Sequence, residues 1–485
     1  MVMRTLTDGT LLKNQSFLDG RFVGTASINV TNPASGAVIG QVPAFGADEA
    51  TQAVEAAAAA LPGWSARTAK ERSTILRNWF NLVVANRQDL ATILTSEQGK
   101  PLAEALGEID YAAAYIEFYA EEAKRIAGEM LPSHRTDARL LVLRQPIGVV
   151  AAITPWNFPA AMITRKIAPA LAAGCTVVVK PALETPLTAL ALAELAHRAG
   201  LPAGTINVLT GDAQAIGGVF TSHPKVRLVG FTGSTVVGKI LMAQAATTVK
   251  KVALEMGGNA PFIVFDDADL DAAVEGAIVS KYRNMGQTCV CTNRFYVQAS
   301  VHDAFVERLL ARVAELKVGD GFAEGVAQGP LITEDAVRKV EAHIVDATAK
   351  GATIRLGGQR HALGHTFFEP TVLTGARADM TLAGEETFGP LAAVFRFETE
   401  REAIEAANDT ETGLAAYFYA RDVGRIFRVM EGLEYGMVGI NTGLISTELA
   451  PFGGVKESGN SREGSQHGIL EFTELKYACL GGLSN

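Results

Sequence analysis

The sequence predicts an α/β protein with two regions of parallel β-sheet. Between Val149 and Gly257, short runs of β-branched and apolar residues alternate with stretches of helical pattern. A second alternation of the same kind begins at Pro261 and ends near Gly439. Buried strands that alternate with helices are typical of parallel sheets covered on both faces. The chain has 485 residues, more than one compact core accommodates, so two or three domains are expected.

The individual elements follow from local pattern. Residues 1–45 predict short strands and turns, and residues 48–127 have the three- and four-residue apolar spacing of helices. Residues 138–145 (ARLLVLRQ) predict an extended segment. In the first alternation, strands are expected at 149–154, 176–181, 206–211, 227–233 and 251–257, with helices at 162–173, 187–199, 213–221 and from 235 onwards. Further strands are expected at 261–265, 437–441 and 474–480.

The composition disfavours nucleic-acid and membrane partners. The net charge is −9, and there is no basic run of the kind that binds nucleic acid or anionic lipid. The longest uncharged stretch, residues 145–164, contains three prolines, so a buried strand and loop are expected there rather than a bilayer span. No signal-peptide core is present near the start, and the four cysteines suit a reducing compartment. A soluble, cytoplasmic protein is therefore expected.

Two of the four cysteines lie one residue apart in GQTCVCTNR, residues 286–294. The pair could form a disulfide, half of a metal site, a reactive nucleophile, or two buried apolar side chains. No histidine lies nearby to complete a metal site, so no metal is expected. The polar flanks favour a nucleophile whose pKa is lowered in a loop at a helix terminus, although plain buried thiols remain an alternative.

A cysteine nucleophile needs partners, and two other stretches offer them. Glu255 ends an apolar strand in LEMGGNAP, where an apolar setting raises the pKa of a carboxyl group and suits a general base. Asn157 follows a strand in TPWNFP, where its amide could donate a hydrogen bond to an oxyanion. Each also has a structural explanation, a salt-bridged strand end for Glu255 and a turn residue for Asn157.

The stretch FTGSTVVGKI, residues 231–240, lies between a predicted strand and a predicted helix. It nearly matches a phosphate-binding P-loop, but Ile240 stands where that motif needs Ser or Thr, so an NTPase is disfavoured. A glycine turn with Ser234 at a helix start can hold a pyrophosphate, or it can be a simple turn. Lys180, at the end of the strand TVVVK, could reach a ribose or phosphate.

These motifs together resemble the aldehyde dehydrogenase superfamily. TPWNFP, VVVKPA, GFTGST, LEMGGNAP, GQTCVC, EETFGP and PFGGVKESG occur in that family's order between about residues 145 and 460. The resemblance implies a Rossmann-type cofactor domain, an α/β catalytic domain and a small β extension for oligomerisation. Cys289 matches the nucleophile, Glu255 the general base and Asn157 an oxyanion donor; Trp156, Lys180, Gly233, Ser234, Gly238, Glu386 and Phe388 match cofactor-binding residues.

Within the superfamily the chain looks most like succinate-semialdehyde dehydrogenases, which implies a role in 4-aminobutyrate degradation. That resemblance places Arg165, Arg283 and Ser446 around the carboxylate of a short ω-carboxy aldehyde. The alternative for each arginine is an ordinary ion pair. Residues 460–462 depart from the family pattern in a loop expected to shape the pocket mouth, so glutarate semialdehyde, or a broader range of aldehydes, remains an alternative substrate.

The resemblance also bears on cofactor choice and regulation. Leu183 stands where NAD-preferring relatives often carry a Glu, and Glu184 comes one position late. NADP is therefore expected to be preferred, with NAD as the alternative. Cys291 permits a redox switch of the kind that some succinate-semialdehyde dehydrogenases use.

The expected organisation has three parts. A nicotinamide-binding domain comprises 1–128 and 148–257, and a catalytic domain comprises 258–455. An extension of 129–147 and 456–485 would pair with another subunit, because its strands would otherwise leave exposed edges. A homo-oligomer, dimer or tetramer, is expected.

Overall fold

The computed structural model describes residues 4–483. Its N-terminal part has short strands followed by long helices, as the sequence predicts. The helices pack their alanine-rich faces against a core that contains Trp64 and Trp79. The elements are β1 (Ser16–Leu18), β2 (Arg21–Val23), β3 (Ala26–Thr31), β4 (Val38–Pro43), α1 (Ala47–Ser65), α2 (Ala69–Ala85), α3 (Arg87–Gln98), α4 (Leu102–Glu122), β5 (Glu129–Leu131) and β6 (Arg139–Pro146).

The first seven-stranded sheet has the order β11-β10-β7-β8-β9-β1-β2. The strands from β7 to β11 are parallel, and β1 joins the sheet antiparallel to β9. All predicted strands and helices of the first alternation are present, with ends shifted by a few residues. They are β7 (Val149–Ile153), α5 (Ala161–Ala173), β8 (Thr176–Lys180), α6 (Pro186–Arg198), β9 (Ile206–Val208), α7 (Ala213–Ser222), β10 (Val226–Thr232), α8 (Thr235–Ala245) and β11 (Lys251–Glu255).

The second seven-stranded sheet has the order β14-β15-β16-β13-β12-β18-β19, and only β14 runs antiparallel to its neighbour. The elements are β12 (Ala260–Val264), α9 (Leu270–Tyr282), β13 (Thr292–Gln298), α10 (His302–Val313), α11 (Glu334–Ala349), β14 (Thr353–Leu356), β15 (Thr371–Thr374), α12 (Thr381–Gly384), β16 (Leu391–Phe397), α13 (Glu400–Asn408), β17 (Thr412–Gly413), β18 (Ala415–Tyr419), α14 (Val423–Gly432), β19 (Met437–Ile440), β20 (Val455–Lys456), α15 (Ser465–Gly468) and β21 (Thr473–Leu480).

The third sheet is small and antiparallel, with the order β21-β6-β5. Large apolar side chains remain exposed on it, notably Met130 at 70%, Leu475 at 61% and Tyr477 at 60%. Residues 458–463, which precede this sheet in the chain, lie beside the end of β11 instead.

The uncharged stretch contains β7, a loop and the first turn of α5, as expected for a buried strand and loop. None of the helices within residues 4–483 combines the length and the apolar character needed to cross a membrane.

Candidate active site

A cavity of ≈ 280 Å³ opens where the first sheet ends and the loops of the second sheet begin. It gathers side chains from widely separated parts of the chain. Most of the predicted site residues line it: Trp156, Asn157, Arg165, Gly233, Ser234, Arg283, Cys289, Glu386, Phe388 and Ser446. Four do not lie on its wall: Glu255, Lys180, Gly238 and Cys291.

Cys289 reaches the cavity through an unusual backbone turn after α9. Asn284 and Met285 have φ of 51° and 57°, in the left-handed region that most residues avoid. Gly286 follows with φ of 74°, and a Cβ there would come within 2.1 Å of the Gly389 carbonyl oxygen. Only glycine fits at that position, which explains the residue at the head of the GQTCVC motif.

The pKa of Cys289 corrects one sequence prediction. A lowered pKa was expected, but burial of the sulfur raises the pKa of the Cys289 thiol to about 12. The Arg165 charge acts in the opposite direction, yet it does not outweigh the loss of hydration. The negative charges of Glu386 and Glu255 raise the pKa further. The thiol is therefore protonated at rest, because the polar motif lies against a buried wall rather than in an open loop.

Asn157 is fixed through its backbone and its amide. Its carbonyl oxygen accepts hydrogen bonds from Lys100 Nζ at 2.8 Å and Asn284 Nδ2 at 3.0 Å. Its side-chain Nδ2 donates to the Gln287 carbonyl oxygen at 3.0 Å, two residues before Cys289. Because an amide nitrogen carries two hydrogens, the second remains available for an oxyanion. The buried pair of Lys100 and Glu108, 2.6 Å apart, supports this loop from below.

Glu255 ends β11, as predicted. Ser461 Oγ donates a hydrogen bond to its Oε1 at 3.0 Å, and its Oε2 has no hydrogen-bond partner within residues 4–483. Burial, followed by the like charge of Glu463, raises the pKa of Glu255 well above its ordinary value. The predicted direction of this shift is confirmed, and a carboxylate with a raised pKa is a stronger base than an ordinary one.

The other half of the cavity has groups that can hold a dinucleotide. Ser234 caps α8, its hydroxyl accepting from the Val237 N–H at 3.4 Å, and the helix N-terminus offers N–H groups to phosphate. Glu386 accepts from the Gly258 N–H at 3.3 Å, and burial raises the pKa of Glu386 to about 7. Phe388 packs edge to face on Trp156, with ring centroids 5.6 Å apart. Phosphate donors, a carboxylate for ribose hydroxyls and an aromatic wall fit a nicotinamide dinucleotide.

Two other predicted cofactor-binding residues, Gly238 and Lys180, lie behind the cavity wall. A Cβ on Gly238 would come within 2.1 Å of Met256 Sδ, so glycine lets α8 pack closely against the residue after β11. Lys180 ends β8 and is buried, and its burial lowers the pKa of the ammonium group. The charges of Glu184 and Asp212 oppose that shift.

The two arginines differ in their surroundings. Arg165, in α5, is fully buried; it forms an ion pair with Glu463 at 2.6 Å and also lies on the cavity wall. Arg283 follows α9 and is half-buried, with its guanidinium 5.1 Å from the Phe158 ring centroid. Within the described part of the chain, Arg283 forms no ion pair, although Glu104 lies near enough for the Arg283 charge to lower the pKa that burial of Glu104 raises.

Cys291 is buried and its thiol donates to the Lys281 carbonyl oxygen at 3.4 Å. Cys289 and Cys291 both carry free thiols, so no disulfide joins them in this structure. The redox switch, which requires that disulfide to form on oxidation, stays a prediction.

Sequence reasoning missed several groups around the cavity. Glu463 and Ser461 follow the last family motif, but no local pattern indicated that they contact Arg165 and Glu255. The loop 460–462 was expected at the pocket mouth; it lies instead behind Glu255, where the Asn460 side chain accepts from the Leu254 N–H. Other unpredicted wall residues are Tyr111, Pro155, Phe158, Met162, Thr232, Met256, Gly257, Thr288, Val290, Lys339 and Phe452.

Fold and cavity define an oxidoreductase of the aldehyde-oxidising class. The chain matches the aldehyde dehydrogenase family over residues 22–478 and belongs to that family. It is thus an NAD(P)-dependent aldehyde dehydrogenase.

Proteins similar to this chain are named for different aldehyde substrates. The chain is 61% identical to a glutarate-semialdehyde dehydrogenase of Pseudomonas aeruginosa, covering 99% of this chain and 100% of that protein. It is 60% identical to the NADP(+) succinate-semialdehyde dehydrogenase GabD of Escherichia coli, covering 98% and 99%. The crystal structure of succinate-semialdehyde dehydrogenase from Burkholderia pseudomallei superposes with a TM-score of 0.98 at 62% identity, covering 99% and 100%.

Proposed function

We propose that this enzyme oxidises succinate semialdehyde to succinate, with NADP as the preferred cofactor. The observation that carries the proposal is Arg283, a half-buried cation on the wall of the Cys289 cavity that forms no ion pair in the described chain. Ser446 and Arg165 line the same cavity. A planar guanidinium beside a hydroxyl suits the carboxylate end of a short semialdehyde, whose aldehyde end would face Cys289.

Glutarate semialdehyde is the second candidate. A neighbouring cavity of ≈ 270 Å³ shares Tyr111, Phe158, Arg283 and Ser446 with the first. To admit one more methylene, the guanidinium of Arg283 would have to move into this neighbouring space. The names of the relatives, which include both semialdehydes, support the same two candidates.

The chemistry begins at Cys289. Glu255 takes the proton of the Cys289 thiol, and the thiolate so formed attacks the carbonyl carbon; the second amide hydrogen of Asn157, with the backbone N–H of Cys289, stabilises the oxyanion of the thiohemiacetal. Glu255 passes that proton to solvent before the second step. Ser234, Glu386 and the Phe388 wall would hold a nicotinamide cofactor, which would supply the hydride acceptor for oxidation to the thioester.

Glu255 then completes the reaction by removing a proton from water. The resulting hydroxide attacks the thioester carbonyl, the carbon–sulfur bond breaks, and the carboxylic acid leaves with Cys289 restored. The raised pKa of Glu255 suits this step, since a more basic carboxylate takes a proton from water more readily. Its hydrogen bond from Ser461 fixes the orientation of the carboxylate.

The preference for NADP rests on residues near the end of β8. Leu183 cannot accept a hydrogen bond from a ribose 2′-hydroxyl, and Glu184 is exposed. The absence of a carboxylate at position 183 lowers the repulsion that a 2′-phosphate would meet, and Lys180 supplies a positive charge nearby.

We further propose the three-part organisation, with 1–128 and 148–257 as the cofactor domain and 258–455 as the catalytic domain. The sheet of β5, β6 and β21 would then join subunits, because its exposed apolar side chains would become buried in a homo-oligomer. Four free cysteines fit work in the reducing cytoplasm.

Initial rates at 340 nm test the substrate assignment. The enzyme would receive succinate semialdehyde, glutarate semialdehyde or uncharged butanal, each with NADP and with NAD. We expect kcat/KM to be highest for succinate semialdehyde with NADP. Arg283→Met should lower kcat/KM for both semialdehydes by roughly 10- to 100-fold, the effect of losing a charge-assisted hydrogen bond.

The matched control is Arg308→Met, which removes an arginine on the surface of α10 that pairs with Asp271. It should leave all rates unchanged. Equal kcat/KM for butanal and the semialdehydes in the unmodified enzyme would reject the carboxylate clamp.

A further inference from the structure

Glu463 lies between two consecutive cations of α5. Its Oε2 is 2.6 Å from Arg165 Nη2, and its Oε1 is 2.5 Å from Lys166 Nζ. All three residues are buried. Burial alone would raise the pKa of Glu463, but Lys166 and Arg165 together hold it below its ordinary value, so Glu463 is ionised. One buried carboxylate thus offsets part of the charge of two cations.

Arg165 faces both Glu463 and the substrate cavity. Its Nη2 is close to Glu463 without the alignment of a hydrogen bond, and its Nε has no hydrogen-bond partner within residues 4–483. The guanidinium lies 3.9 Å from the Phe452 ring centroid and 5.8 Å from that of Tyr115. Aromatic packing therefore fixes its position while N–H donors remain unused.

We propose that Glu463 is the charge-setting residue of the substrate pocket, limiting the pull of Arg165 on the carboxylate of substrate and product. The inference rests on the proposed function, in which the cavity binds a carboxylated aldehyde. The product has one more carboxylate than the substrate, so an uncompensated Arg165 would retain it most strongly. Glu463 lowers the affinity for that anion and lets the product leave.

The size of the effect follows from burial. Between charges a few ångströms apart, the interaction is several times stronger at a buried site than in water. The separation between Arg165 and Glu463 is short and both are shielded from solvent, so the carboxylate reduces the local positive potential substantially. Phe452 and Tyr115 also pack against the guanidinium.

Glu463→Gln is the direct test, because the amide keeps the shape of the side chain and removes its charge. We expect the inhibition constant for succinate to fall several-fold, and the KM for succinate semialdehyde to fall relative to that for butanal. The comparison is made as a ratio because the charge of Glu463 also raises the pKa of the general base Glu255, so its removal affects the turnover of every aldehyde. Glu463→Asp withdraws the charge from Arg165 by one methylene, and we expect a smaller change in the same direction. If the Glu463→Gln protein does not fold, Glu463→Asp, which retains a carboxylate, still provides the test.

Glu471→Gln is the matched control, since it removes a carboxylate that pairs with Lys251 away from the cavity. Arg165→Met separates the action of Arg165 on the substrate carboxylate from the effect of Glu463 on Arg165. If Arg165→Met leaves the preference for carboxylated aldehydes unchanged, Arg165 does not act on the carboxylate and the role of Glu463 fails, while the clamp at Arg283 stands. If Arg165→Met lowers that preference, but succinate inhibits Glu463→Gln no more strongly than the unmodified enzyme, the clamp stands and the role of Glu463 is overturned.

Discussion

The buried ion pair of Lys100 and Glu108 holds the loop that contains Asn157, and the cost of breaking this pair can be predicted in kcal/mol. Both side chains are 0% exposed and their charged atoms are 2.6 Å apart. Lys100 Nζ also donates to the Asn157 carbonyl oxygen, and Glu108 Oε1 accepts from the Ala160 N–H at 2.9 Å. This pair therefore joins α4 to the loop that presents the Asn157 amide to Cys289.

Lys100→Met leaves Glu108 as a buried charge without its cation. Breaking a buried pair by removing one partner costs about 3–5 kcal/mol. The hydrogen bonds that Glu108 accepts from the start of α5 persist, so we expect the loss near the lower end of that range. kcat should fall as well, because the Asn157 carbonyl keeps its bond from Asn284 but loses the one from Lys100.

Urea titration with tryptophan fluorescence measures the loss of stability. The protein has three tryptophans, Trp64, Trp79 and Trp156, all before Glu255 in the chain, so the signal reports on the part that contains this pair. The matched control is Arg87→Met, which breaks an exposed pair between α3 and Asp110 of α4, the helix that contains Glu108, and should cost at most about 1 kcal/mol. Equal losses for the two variants would refute the reasoning.

Three further predictions concern the cofactor, regulation and pH dependence. Leu183→Glu should shift the ratio of kcat/KM for NADP over NAD towards NAD, because the carboxylate accepts from a ribose 2′-hydroxyl and repels a 2′-phosphate; an unchanged ratio would contradict the assignment. Hydrogen peroxide should inactivate the enzyme by oxidising Cys289 and Cys291 to a disulfide that dithiothreitol reduces, and Cys291→Ala should abolish the reversal; reversal that persists in the variant would exclude the switch. Ser461→Ala should move the acid limb of the kcat pH profile to higher pH, since the Ser461 hydrogen bond lowers the pKa of Glu255 and a base works only when deprotonated; a shift to lower pH would oppose this role.

Much of the fold could be predicted because its signals are local. Each parallel strand of the first sheet is a short β-branched run, and each helix has a recognisable apolar spacing. The position of Glu255 at a strand end and the cap at Ser234 follow from sequence in the same way. Asn157 and Cys289 were identified as a pair because their motifs occur together in one family.

The remainder depends on contacts that sequence order does not reveal. Lys166 and Glu463 are 297 positions apart, and only the folded chain brings them together. The direction of the Cys289 pKa shift was wrong from sequence because burial, not the polarity of neighbouring residues, determines the hydration of the sulfur. The support of Asn157 by Lys100 and Glu108 left no local pattern, since Lys100 lies in the turn between α3 and α4 and Glu108 lies within ordinary helical sequence.

The central claim, that Cys289 carries the acyl group of a carboxylated aldehyde and Glu255 releases it, can be tested by trapping that group. Glu255→Gln enzyme would be mixed with succinate semialdehyde and NADP, quenched in acid, digested and analysed by tandem mass spectrometry. We predict a succinyl thioester on Cys289 and no more than one equivalent of reduced cofactor per active site. Sustained turnover without an acyl group, or an acyl group on Cys291 instead, would contradict the account.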